Sequence, residues 1–219
     1  MKNYWLDRWK DGNIGFHQSD INLYLCQYWQ ELKLTSESEV LVPLCGKSRD
    51  MLWLREQGHS VLGVELSAIA VQAFFKENNI RLEYDRINGK FDRYKANDIN
   101  ILCGDFFNLS KDNLTKVGAV YDRASLVALP PEIRIRYARH LIKILPPTTQ
   151  ILLITFDYPH SEMEGPPFAV SSGEVEMLYH KHADVRQLAQ FDVLEKNPNF
   201  QERGLSRIQE SIFLLTTIS

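Results

Sequence analysis

Gly46 and Glu65 stand at the spacing where a nucleotide-binding strand-turn-helix-strand unit sets its glycine turn and, about 20 residues later, an acid that holds a ribose diol. Three further groups have the chemistry to complete such a site. Gly104-Asp105-Phe106 combines a glycine, an acid and an aromatic ring, which would frame an adenine or serve as an ordinary loop over the core. Trp5 and Trp9 are four apart and share a helical face, suited either to packing on the domain or to covering a flat ligand. Arg123 follows the apolar run Val117–Tyr121 beside Asp122, where it pairs with that acid or faces a ligand at a strand tip. His17, beside Phe16, and Asp157, after another apolar run, are further proton-acceptor candidates. Cys45 adjoins Gly46 but no histidine partner is evident, so it reads as a small packing residue.

The elements that must position these groups follow from apolar patterning. Val40-Leu41-Val42 and Val61-Leu62-Gly63-Val64 are short buried strands flanking a helix over 48–57, closed by Gly58. A helix capped by Asp20 or Ser19 is expected to run to Leu34, and another, capped by Ser67, to Asn78. Residues 80–98 are polar around Asn88-Gly89, a strong hairpin signal, and read as an inserted hairpin or excursion. Strands are expected over 99–103, 117–121 and 150–156, with helices from Pro130 to Leu145 and over 172–181. Two closing strands, 185–195 and 206–217, follow one another without a helix. The pattern predicts one α/β domain over 1–219, its sheet mostly parallel with an antiparallel pair near the edge, preceded by a helical cover over 1–34.

Bulk composition narrows the function. A net charge of −3 lacks the basic surplus of a nucleic-acid binder. Three scattered cysteines without ligand spacing suggest a reducing, cytoplasmic setting and no metal. No secretory leader or run of apolar residues long enough to span a membrane is expected. Gly46-Lys47-Ser48 resembles the end of a P-loop, but position 41 is leucine where that motif needs glycine. A dinucleotide fingerprint needs three glycines, and only Gly46 is present. A ligand with ribose and adenine but no phosphate would still want Glu65, and S-adenosylmethionine fits that description. A nonenzymatic binding module is an alternative.

The segments WLDRWKDGNIGFHQ, VPLCGKSRDMLWLREQGHSVLGVELS, YDRASLVALPPEIR and GPPF together resemble the thiopurine S-methyltransferase family in its bacterial form, nearly end to end. The resemblance implies a Rossmann-like class I methyltransferase fold with a seven-stranded sheet and helices on both faces. It implies S-adenosylmethionine as donor, S-adenosylhomocysteine as product, and aromatic or heterocyclic thiols such as 6-mercaptopurine as acceptors. Other small thiols and selenium or tellurium species are alternative acceptors. Carried over by position, Trp5, Trp9, Leu44, Gly46, Glu65, Gly104, Asp105, Phe106 and Arg123 would meet the donor. Phe16, Arg123 and Arg203 would meet the acceptor. Asp105 stands where mammalian members have an apolar residue. The implied mechanism is direct in-line displacement, with Arg123 favouring the thiolate electrostatically. A monomer is expected.

Overall fold

The computed structural model describes residues 1–35, 38–87 and 89–218. Two compact units emerge, Met1–Val120 and Tyr121–Ser219.

In the first unit the expected strand-helix alternation is present. Strand β1 (Glu39–Pro43) leads through a turn into α3 (Asp50–Glu56), and β2 (Val61–Glu65) into α4 (Ala68–Glu77). Residues Val40 to Val42 and Val61 to Val64 are at most 5% exposed among their apolar side chains, each worth about 1.5–3 kcal/mol of burial. Ser67 caps α4 by accepting from the Ala70 N–H, as expected. Before β1, α1 (Lys2–Lys10) opens the chain. The helix expected from Asp20 is shorter: α2 (Leu23–Tyr28) runs into a 3-10 turn at Trp29–Glu31. Its cap is Asn22, whose side chain accepts from the Tyr24 and Leu25 N–H groups. Asn22 is fixed there because its own N–H donates to the buried carboxylate of Asp50, 2.8 Å away, a tertiary bond that outweighs the local preference of Ser19 or Asp20.

The polar stretch 80–98 forms a hairpin, β3 (Glu83–Ile87) and β4 (Phe91–Ala96); Asn88, in its expected turn, lies outside the described residues. The hairpin is not an excursion. Strand β4 pairs antiparallel with β5 (Ile99–Cys103), from Ala96 opposite Ile99 to Asp92 opposite Cys103. Among the described residues the sheet therefore has nine strands rather than seven. In the first unit their order is β3-β4-β5-β2-β1-β6, with β6 spanning Val117–Arg123. Pairings β5-β2, β2-β1 and β1-β6 are parallel.

In the second unit, α5 (Pro131–Ile144) and β7 (Gln150–Asp157) match the expected segments, and α6 (Ser172–Tyr179) follows. Strands β8 (Ala183–Asp192) and β9 (Gln209–Thr217) close the sheet in the order β7-β9-β8, both pairings antiparallel. Between them the polar connector contains a short helix, α7 (Pro198–Glu202), opened by the proline. Arg134 of α5 is a buried frame for this unit. Its guanidinium donates to the Leu129 and Ala169 carbonyls and pairs with Glu174 of α6, so it ties the 165–170 loop to two helices.

Candidate active site

The turn after β1 is built to receive Glu65. Leu44 and Gly46 both take positive φ, 46° and 53°, a conformation easy for glycine and strained for leucine. That bend aims the Gly46 N–H at Glu65 Oε2, 2.8 Å away. Glu65 Oε1 accepts from the Ser67 N–H at 2.7 Å. Burial pushes the Glu65 carboxyl up from its ordinary value, and the Ser67, Gly46 and Leu66 N–H groups pull it back toward the ionised form. An ionised carboxylate offers about four lone-pair sites. The Gly46 and Ser67 N–H groups take two at 2.8 and 2.7 Å, the Leu66 N–H also acts on the carboxylate, and capacity remains for a further hydroxyl donor.

The same turn is not a phosphate cradle. Three of its amides are committed inward: Cys45 N donates to the Val64 carbonyl, Gly46 N to Glu65, and Ser48 N to the Cys45 carbonyl. Lys47 is held by Glu77, with Nζ at 2.7 and 2.9 Å from its two oxygens. Burial holds the Cys45 thiol far above its usual range and raises Cys103 to about 11, so both are neutral and unfit as nucleophiles.

Two glycines have a different local partner from the one their motif suggests. At Gly46 a Cβ would lie 3.1 Å from the Trp9 ring, so the turn is bare where α1 covers it. At Gly104 a Cβ would meet the Lys90 carbonyl at 2.7 Å and the Phe91 ring at 2.6 Å. The start of the hairpin strand β4 thus demands that glycine. Asp105 caps the 3-10 turn Phe106–Asn108 by accepting from the Phe107 N–H, and it forms an ion pair with Lys2 of α1. Phe106 is buried. Trp9 is buried, Trp5 is half-buried, and both meet the Phe16 ring edge-on at 5.5 and 5.3 Å. The first unit thus brings Trp5, Trp9, Phe16 and Gly46 together at one corner and Glu65 at the same turn. Asp105 is joined to the helix's first residue. His17 closes the turn behind α1, its N–H donating to the Ile14 carbonyl.

The remaining predicted residues belong to the second unit. Asp122 does not need Arg123: it is fully buried and accepts from the Tyr137 hydroxyl at 2.6 Å and from the Leu126 N–H. Burial nevertheless raises its pKa to about 6. Arg123 ends β6 half-buried, and its charge acts on Glu210 of β9. Arg203, just past α7, lies over the Phe200 ring at 5.9 Å. Asp157 forms an ion pair with Arg207 at 3.5 Å. Sequence reasoning passed over Glu210. Its signal was an acid at the mouth of the apolar strand IFLL, where a buried position is expected. Among the described residues no three His, Cys, Asp or Glu side chains gather to hold a metal, and no helix is long and apolar enough to cross a membrane.

Solved structures with this fold include S-adenosylmethionine-dependent methyltransferases. A methyltransferase of Burkholderia thailandensis, 1,6-didemethyltoxoflavin-N1-methyltransferase with bound 1,6-didemethyltoxoflavin and S-adenosylhomocysteine, superposes with TM-score 0.66 at 14% identity, covering 100% of this chain and 87% of that one. A SAM-dependent methyltransferase of Anabaena variabilis gives TM-score 0.65 at 13% identity, covering 99% and 94%. The fold is that of the S-adenosylmethionine-dependent methyltransferases. The family model for thiopurine S-methyltransferase matches residues 1–218. A thiopurine S-methyltransferase of Nitrosospira multiformis is 64% identical over 216 residues, 99% of this chain and 98% of that protein. One from Bordetella petrii is 46% identical over 212 residues, 97% and 96%. The chain belongs to the thiopurine S-methyltransferase family, and S-adenosylmethionine is its methyl donor.

Proposed function

We propose that this enzyme methylates the sulfur of aromatic or heterocyclic thiols such as 6-mercaptopurine, acting as a single-domain monomer in the cytoplasm. The observation that carries the acceptor class is the 64% identity, over nearly the whole chain, to a protein named thiopurine S-methyltransferase. The second unit supports it chemically: Arg203 above Phe200 offers a cation and an aromatic face, which suit a flat, electron-rich ring bearing negative charge.

S-adenosylmethionine supplies an electrophilic methyl group on a sulfonium. The chain's part is to hold both reactants and exclude water, and proximity of this kind lowers a barrier by roughly 7–11 kcal/mol. Glu65 takes the ribose hydroxyls; Leu44 and Gly46 line the turn beside them. The loop Gly104-Asp105-Phe106 borders the adenine, and Trp5 and Trp9 cover the donor from α1. Phe16, Arg123 and Arg203 meet the acceptor, with Arg123 favouring its thiolate. His17 stays a backbone-turn residue in this reading, and Asp157 is spent on Arg207.

Methyl transfer from labelled donor to 6-mercaptopurine tests the reading. Arg123→Ala is expected to lose most of the turnover. Unchanged turnover would leave Arg123 structural, and a panel of thiols without any methylated member would remove the acceptor class.

A further inference from the structure

Glu210 is a carboxylate in an aromatic setting. It lies near the start of β9 with 8% of its surface exposed. The strand register places Phe156 of β7 opposite it on one side and Phe191 of β8 on the other. Residues directly opposite share a face of the sheet, so the three side chains form one row. Phe200 of α7 meets Phe156 edge-on at 6.1 Å, and the Arg203 guanidinium lies over Phe200. Phe156, Phe191 and Phe200 all pack on the buried cluster that includes Tyr158, Val193 and Leu205. The row therefore sits under the covering segment that carries Arg203, at the carboxyl end of β7, where an open α/β sheet places its ligands.

An enclosed carboxylate among phenyl rings is costly, and the strand would hold an apolar residue there more cheaply. The charges acting on it are cationic: Arg123 from β6 and Lys196 from the segment after β8 both favour ionisation. Burial outweighs them and brings the group to about 7, the range in which a side chain exchanges protons readily at neutral pH. Asp157 and Asp192 stand opposite Gln209, hence on the other face, where Arg207 pairs with Asp157.

We propose that Glu210 is the proton acceptor for the thiol of the methyl acceptor. The thiol sulfur forms a bond to the methyl carbon with its own electron pair. The carbon–sulfonium bond of the donor breaks, leaving its pair on the donor sulfur. The S–H proton passes to the Glu210 carboxylate and then to water. Acidic heterocyclic thiols arrive largely ionised and need this little; less acidic thiols depend on it. The assignment rests on the thiol-acceptor reading above.

The test compares two phenyl-bearing thiols of very different acidity, the aromatic 4-nitrothiophenol and the benzylic phenylmethanethiol, with wild type, Glu210→Gln and Glu210→Asp. Glu210→Gln is expected to lower kcat/KM about 100-fold for phenylmethanethiol and less than about 3-fold for 4-nitrothiophenol. The acid limb near pH 7 with phenylmethanethiol should disappear in Glu210→Gln, and Glu210→Asp should recover part of the rate. Equal losses on both thiols, or none, would overturn the assignment. Should Glu210→Gln not fold, Glu210→Asp must still lose more on phenylmethanethiol, and equal losses there overturn it too. A wild-type enzyme that methylates neither thiol would remove the thiol reading itself and this assignment with it.

Discussion

In the first unit the proposed donor site is anchored on a main-chain turn and one carboxylate, with Trp5 and Trp9 over it; in the second, the residues around the proposed acceptor site are side chains from separate segments. Glu65 is held by two N–H groups from its own turn and the next, so its orientation follows from the backbone path. Arg123, Phe156, Phe191, Arg203 and Glu210 come from five separate segments, and only strand register and the α7 connector align them. A site of the first kind tolerates little variation, because changing it means changing the turn. One of the second kind can change its ligand by a single side-chain replacement while the fold stays intact.

The strongest test of that contrast removes the frame of the second unit. Arg134→Met leaves Glu174 without its buried partner and two carbonyls unserved, and is expected to cost about 3–5 kcal/mol of stability in denaturant unfolding. If the two units hold their ligands independently, the folded fraction should still bind S-adenosylhomocysteine with unchanged affinity by calorimetry. Coupled loss of binding would break the comparison.

Next in size is Glu65→Ala. Hydrogen bonding from hydroxyls to a charged group is lost, so the dissociation constant for S-adenosylhomocysteine should rise at least about 100-fold. The acceptor's KM at saturating donor should move little; a larger change there would place Glu65 outside the donor site. A smaller effect is pH-dependent. Burial raises the Glu65 pKa, and the bonds proposed from the donor's hydroxyls are to the ionised form. Affinity is therefore full above that raised value and declines as pH falls through it, a decline Glu65→Gln should lack in titrations below neutrality. Smallest is Lys2→Ala: an exposed ion pair with Asp105 is worth about 0–1 kcal/mol, so donor affinity should weaken by no more than roughly fivefold.

What was legible in the sequence divides along the same line. The β1-turn-α3-β2 unit is contiguous, and its glycine, its acid and its apolar strands lie within one short stretch, so spacing alone located Gly46 and Glu65. Their reason for being there was not legible. Gly46 is bare because Trp9, 37 residues earlier, lies over it, and Gly104 because Phe91 of the neighbouring strand does, contacts that spacing alone does not reveal. The hairpin was visible in Asn88-Gly89, yet its pairing with β5, which makes the sheet nine strands wide, is a tertiary fact. Asn22 became a helix cap through a bond to Asp50, against two nearer candidates. Glu210 showed only as an acid at the mouth of an apolar strand, and that signal gains meaning once its neighbours across the ladder are known to be phenylalanines.

The helix α1 has nine residues, too few to persist alone in water. It owes its form to what it touches: Lys2 on Asp105, Trp9 on the Gly46 turn, and the tryptophan pair on Phe16. Winding of this segment and coverage of the turn are therefore one event. With α1 as the proposed cover of the donor, exchange of spent donor for fresh would have its own clock, set by how often this short helix unravels and not by how tightly a ribose is gripped. A mutation that merely steadied that helix would be expected to lengthen the interval between turnovers while leaving the methyl transfer step as fast as before.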